Sequence, residues 1–227
     1  QNTKMLNLLE HYGARVEKNM VLDVSCGQVT IPQKFGQFQM NVAVDYPYFV
    51  RVGNEGLNSD NPAVSTLGEV ILPWVSSISL LVDTEDEAGK ENDDSDTDTT
   101  GKIDEKEETE KSDNISATVL VSSSERSWEA SGHFNLNPQQ EWKPKEEQFT
   151  QRNLAVYLNG DFTSYFAGKS VPPVKEIDES DTSALSQIQL SEEDQDRDII
   201  PSNKSRHLVV VGDSDFLTQQ NAAPGNI

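Results

Sequence analysis

The sequence predicts an α/β fold: a mixed, largely parallel sheet flanked by helices and interrupted by two acidic, flexible insertions. Three observations lead there. Arg206-His207-Leu208-Val209-Val210-Val211-Gly212-Asp213-Ser214-Asp215-Phe216-Leu217 sets an unbroken apolar run before a glycine and an acid-rich turn. Such a run suits a strand buried on both faces beneath covering helices, and Asp213 or Ser214 is placed to cap a following helix. Near the other end, Met5, Leu8, Leu9 and Tyr12 fall at i, i+3, i+4 and i+7, one apolar helix face with Gly13 as its stop. Leu154-Ala155-Val156-Tyr157-Leu158, closed by Asn159-Gly160-Asp161, is a strong strand signal.

The remaining elements follow in chain order. Val21-Leu22-Asp23 reads as a short strand, and 24–36 as a loop containing glycine, proline and glutamine. Met40, Val42 and Val44 alternate with polar or small residues, a strand pattern. The aromatic and β-branched Tyr46-Pro47-Tyr48-Phe49-Val50-Arg51-Val52 continues it, with Pro47 marking an edge or bend. Pro62 opens a short helix toward Leu67. Val70-Ile71-Leu72 and Ile78-Ser79-Leu80-Leu81-Val82 are strands separated by Pro73-Trp74. Thr118-Val119-Leu120-Val121 is another, closed by Ser122-Ser123-Ser124-Glu125-Arg126-Ser127-Trp128. Phe162, Tyr165 and Phe166 suit one helical turn. The chain reads as a single domain over 1–227.

Charge is unevenly distributed. The 227 residues carry a net charge of −21, but residues 84–113 hold −10 of it and residues 175–198 hold −7, leaving −4 elsewhere. The first of these segments has one large apolar residue, Ile103, and buries too little surface to offset its chain entropy. No basic cluster exists to neutralise phosphates, which argues against nucleic-acid partners. The one cysteine, Cys26, excludes an internal disulfide and a cysteine-based zinc site. No apolar run has transmembrane length. The opening at Gln1, just before a helical pattern, predicts an excised fragment rather than a whole gene product.

Asp213-Ser214-Asp215 after an apolar strand resembles two catalytic arrangements, a phosphotransferase Asp pair and a serine-esterase block. Only 12 residues follow Asp215, and no histidine follows His207, so neither set is completed and turn and helix capping is the favoured role. Cys26 lacks the strand–elbow–helix context of a nucleophile. His11, His133 and His207 show no metal-ligand spacing. Asp93-Asp94-Ser95-Asp96-Thr97-Asp98 lacks the glycine and glutamate of a calcium loop. No metal, cofactor or catalytic set is expected. The candidate ligand-binding residues are Asp213, Ser214 and Asp215, with Tyr48, Arg51 and Trp74; a glycan platform of Tyr46, Tyr48, Phe49 and Trp74 is the alternative.

Several blocks, in order, resemble one family. They are Asn7-Leu8-Leu9-Glu10-His11-Tyr12-Gly13 with Val21-Leu22-Asp23; Tyr46 to Val52 with Asn61-Pro62-Ala63-Val64 and Val70-Ile71-Leu72-Pro73-Trp74-Val75-Ser76-Ser77; Ser122 to Trp128; Leu154 to Gly160; and Val209 to Leu217. Together they are similar to the auxiliary component of an uncharacterised ABC-type transport system, the family that includes the GldG gliding-motility protein. The resemblance implies a bacterial inner-membrane protein with this domain on the extracytoplasmic, periplasmic side, and transmembrane helices outside this sequence. It implies a fold related to class I glutamine amidotransferases without their catalytic residues, and permease and ATPase subunits as partners. The expectation is a non-enzymatic auxiliary or substrate-binding-like domain serving transport or gliding motility.

Overall fold

The computed structural model describes residues 4–82, 84, 115–167 and 202–214. Residues 85–113 of the first acidic insertion, all of 175–198, and Asp215 lie outside the described residues, as does the helix expected after Asp215.

Helix α1 (Lys4–His11) forms where the apolar periodicity places it, with Leu9 and Tyr12 turned into the core. It ends at Gly13, whose φ of +99° is costly for any residue with a Cβ, and where an added Cβ would meet Val82 Cγ1 at 2.7 Å. The strands that follow are β1 (Ala14–Val16), β2 (Asn19–Asp23), β3 (Cys26–Phe35), β4 (Phe38–Val52), β5 (Val70–Pro73), β6 (Ile78–Leu80), β7 (Ile115–Ser122), β8 (Ser127–Ser131), β9 (Asn153–Thr163) and β10 (Ser202–Val211). They make four small sheets, ordered β1-β6, β2-β8, β3-β4-β5 and β10-β9-β7.

The predicted parallel, helix-flanked α/β sheet is incorrect. Every strand pair among the described residues is antiparallel, and α1 is the one α-helix among them. The error lies in the valine run. β10 is an edge strand with one covered face: Val210 is 4 % exposed and its neighbour Val209 is 53 % exposed. Valine on both faces hides the period-2 alternation that marks an antiparallel strand. The amidotransferase-like architecture is overturned with it.

Smaller expectations shift for related reasons. Residues 26–35 are a strand rather than a loop, with Pro32 accommodated on the outer strand of its sheet. After Pro62 the chain makes turns, with Val64 N and Ser65 N both donating to Asn61 O. Phe162 belongs to β9 and is buried. Pro47 behaves as expected: β3 pairs with β4 through Tyr46, and then Cys26 pairs with Val50, so the ladder breaks where proline has no N–H to give. From Phe49 onward β5 takes the other edge of β4.

Three apolar clusters tie the sheets together. The first joins Val21, Val50, Leu72, Val75, Leu120 and Leu154, and so draws on β2, β4, β5, β7 and β9. The second packs α1, β1 and β6 against the covered face of β7, β9 and β10 through Ala14, Ile78, Val156, Leu158 and Val210. The third is aromatic, with Tyr46, Tyr48 and Trp128 around Leu22.

Candidate functional site

Pro73 at the end of β5 and the four residues that lead to β6, together 73–77, bond to β2, to β4 and to the end of β10. Trp74 N donates to Tyr48 O at 2.9 Å, Val21 N donates to Val75 O at 2.8 Å, and Ser76 N donates to Gly212 O at 2.8 Å. Ser76 Oγ donates to Asn19 O at 2.8 Å, and Ser77 N donates to Asn19 Oδ1 at 3.1 Å. The crossing is close. A Cβ on Gly212 would collide with the Ser76 carbonyl oxygen, so only glycine lets the end of β10 pass. The path also forces Trp74 into the left-handed region at φ +52°, the one non-glycine residue there among those described.

A second joint links β2 to the segment before β8. Asp23 is fully buried. Its Oδ1 accepts from Ser25 N at 2.8 Å and Ser124 Oγ at 2.6 Å, and its Oδ2 accepts from Ser124 N at 2.7 Å. Ser123 Oγ and Ser127 Oγ are 2.7 Å apart, Ser127 Oγ donates to Thr150 O at 2.6 Å, and Arg152 N donates to Ser123 Oγ at 2.8 Å. The serine-rich block therefore serves as a buried hydrogen-bonding hub, in which each polar group removed from water finds a partner.

Between these joints opens a polar cleft of about 410 Å³, lined by Glu17, Asn19, Ser77, Ile78, Ser79, Glu129, Gln151, Arg152 and Asn153. Arg152 Nε lies 2.9 Å from Glu129 Oε1, in an ion pair about one-quarter to one-third exposed. Ser79 Oγ donates to Glu17 Oε1 at 2.7 Å, Ser77 Oγ donates to Glu129 Oε1 at 3.3 Å, and Asn19 Nδ2 donates to Ser77 Oγ at 2.9 Å. Two carboxylates, one guanidinium and several amides and hydroxyls offer both donors and acceptors to a small polar solute. The lining includes no histidine or cysteine, and among the described residues no three His, Cys, Asp or Glu side chains group as a metal site.

The structure scatters the residues singled out in the sequence. Tyr48 is buried beside Tyr46 and Trp142. Arg51, three positions on along the same strand, points to the other face and is exposed. Trp74 is partly exposed, with Phe49 edge-on at 5.1 Å; burial of Tyr46 and Tyr48 closes the rest of the aromatic platform. Asp213 is buried just past the Gly212 crossing and Ser214 is exposed. Tyr48 and Trp74 are linked through the backbone bond above, and none of the five described candidates lines the cleft, Asp215 lying outside the described residues. Burial raises the Cys26 thiol above its ordinary range, and the neighbouring Asp45 adds to the effect, the reverse of what a thiolate nucleophile needs. The cleft residues come from four separate stretches with no shared motif or spacing, so only their fold brings them together.

Fold and site define a multi-sheet β domain whose signature segments are used in joining its sheets around a polar cleft. The chain belongs to a family of auxiliary components of an ABC-type transport system: a family profile described as an ABC-type uncharacterized transport system matches residues 1–92 and 97–226. No match was found among curated proteins or solved structures. Among the described residues no helix is long and apolar enough to cross a membrane.

Proposed function

We propose that the chain is a non-enzymatic, GldG-like auxiliary domain standing on the extracytoplasmic side of a bacterial inner membrane, where it binds the permease-and-ATPase assembly of an ABC-type system. The observation that carries this reading is the family match over both halves of the chain. The use of the acids and serines supports it. The side chains of Asp23, Ser123, Ser124 and Ser127 are engaged with one another and with the backbone, which suits a structural use of these polar groups. Crosslinking in native membranes followed by purification of the intact protein tests the reading. Recovery with permease and ATPase subunits is expected; recovery only as a free monomer overturns it. Loss of surface gliding in a deletion strain, with export intact, assigns the motility branch of the role.

The size and lining of the cleft favour a second element, binding of a small polar solute beside Arg152 and Glu17. A thermal-shift panel of amino acids, sugars and polyamines, repeated on Arg152→Ala, checks it. A stabilising compound whose effect vanishes in the variant is expected. No stabilisation, or stabilisation untouched by the variant, removes this element and leaves the auxiliary role standing.

A further inference from the structure

The β3–β4 hairpin continues well past the body of the protein. Its ladder runs from Gln28↔Asp45 to Phe35↔Phe38 and turns at Gly36, a length of roughly 24 Å at ~3.4 Å per residue. The register divides its side chains by face. Gln28, Thr30, Pro32, Lys34, Gln39, Asn41 and Asp45 fall on one face, and Val29, Ile31, Met40, Val42, Val44 and Phe38 on the other, with Gln33 among them. The apolar face begins at the aromatic cluster, against which Val29 packs. Ile31 on this face is still buried and Val44, Val42 and Gln33 are half-buried, whereas toward the turn Met40 is 56 % exposed and Phe38 is 77 % exposed. A two-stranded ribbon carrying exposed large apolar groups at its end is marginal in water by itself.

Charge indicates what covers it. In a chain with 39 acids, none occurs between Asp23 and Asp45, and the single charged residue of that stretch is Lys34, beside the turn. Asp45 stands at the base of the ladder. At physiological salt the screening length is about 8 Å, so the tip reaches a surface well before the acids at the base are felt there. An apolar ribbon face with Phe38 and Met40 exposed near its tip suits a surface that needs no complementary shape. Amide side chains and one lysine around that face match a lipid headgroup layer.

We propose that the tip of the β3–β4 hairpin dips into a lipid bilayer surface, with Phe38 and Met40 at the headgroup–acyl boundary and Lys34 on lipid phosphate. This holds whichever side of the membrane the domain occupies and whether or not it binds transporter subunits. The test is flotation of the 227-residue chain with vesicles of phosphatidylethanolamine and phosphatidylglycerol. The native chain is expected to float. The double variant Phe38→Ser, Met40→Gln is expected to bind at least about tenfold more weakly, the scale of losing one exposed large side chain from an apolar phase. Val209→Ser, on an exposed strand elsewhere, is expected to bind like the native chain. A Phe38→Trp variant is expected to blue-shift on adding vesicles and to be quenched by brominated acyl chains. Thermal unfolding of each variant shows whether it is folded. Failure of the native chain to float, binding unchanged in the folded double variant, or no quenching of the tryptophan introduced by Phe38→Trp overturns the proposal. Concentration-dependent dimerisation lost in the double variant, without flotation, also overturns it and assigns the face to a second copy.

Discussion

Two residues show how strongly this fold depends on single side chains. Asp23 has three donors aimed at it and no exposed surface. Asp23→Ala takes the shared acceptor from three part-buried hydrogen bonds and empties a fully buried position, and a loss of about 3 kcal/mol in urea-unfolding free energy is expected. Ser124→Ala removes the Oγ bond to Asp23 together with the exposed one that Oγ accepts from Arg126 N at 3.1 Å, and is expected to cost about 1 kcal/mol. Because both changes delete the bond from Ser124 Oγ to Asp23, the double variant should fall short of their sum by about 1 kcal/mol. Strict additivity would show that the bond contributes nothing. Trp74 carries the opposite signature, a bulky residue held at φ +52° by hydrogen bonds on either side. Glycine normally destabilises relative to alanine because it loses more chain entropy. Here Trp74→Gly is expected to unfold at higher urea than Trp74→Ala, by about 1 kcal/mol, since alanine keeps the left-handed penalty that glycine escapes. The usual order would show that the loop relaxes once the ring is gone.

Individual elements were legible where one local signal dominated. α1 follows from its apolar spacing, the β4 alternation and Pro47 bend from period 2 and a missing N–H, and β2, β5 and the first half of β9 from their short apolar runs. β3 was hidden because Gly27, Gln28, Pro32 and Gln33 read as loop residues, and only pairing with the long β4 makes them a strand. The sequence suggests a turn at Gly212 with Asp213 or Ser214 capping a helix; that helix lies outside the described residues, and the glycine itself answers to a tertiary contact. Gly212 N donates to Leu154 O at 2.9 Å while Ser76 N donates to Gly212 O. Gly212→Ala drives a methyl group into the Ser76 carbonyl, so β10 must draw away from 73–77. A loss of about 2–3 kcal/mol is expected from such overpacking. Gly68→Ala, where an added Cβ meets nothing within 4 Å, is expected to change stability by less than about 0.5 kcal/mol. Equal midpoints for the two variants in a denaturation titration would refute the crossing as a tight joint.

At the scale of the whole molecule, the blocks that marked the family were visible in sequence, but their purpose was not. They proved to be the places where sheets meet: 73–77 binds β2, β4 and the end of β10, and Ser124 binds Asp23 across 101 residues of chain. A sequence shows that Asp, Ser and Gly recur in order; it does not show that their partners are each other. The fold class was misread for the same reason, since sheet pairing is long-range and a valine run fits two architectures. This arrangement makes a prediction about cooperativity. All three tryptophans sit in or beside β5, β8 and the aromatic cluster, so their fluorescence reports that end alone, whereas far-UV circular dichroism averages every strand. Because the first apolar cluster draws on β2, β4, β5, β7 and β9 together, neither end can lose its strands without exposing the other's core. The two probes should therefore trace one urea transition with a common midpoint. Asn19→Ala breaks two buried hydrogen bonds at the central joint, and is expected to lower that midpoint for both probes together. A fluorescence transition that precedes the circular-dichroism transition in the native chain would mean that the aromatic end unfolds by itself and that the joints do not couple the sheets.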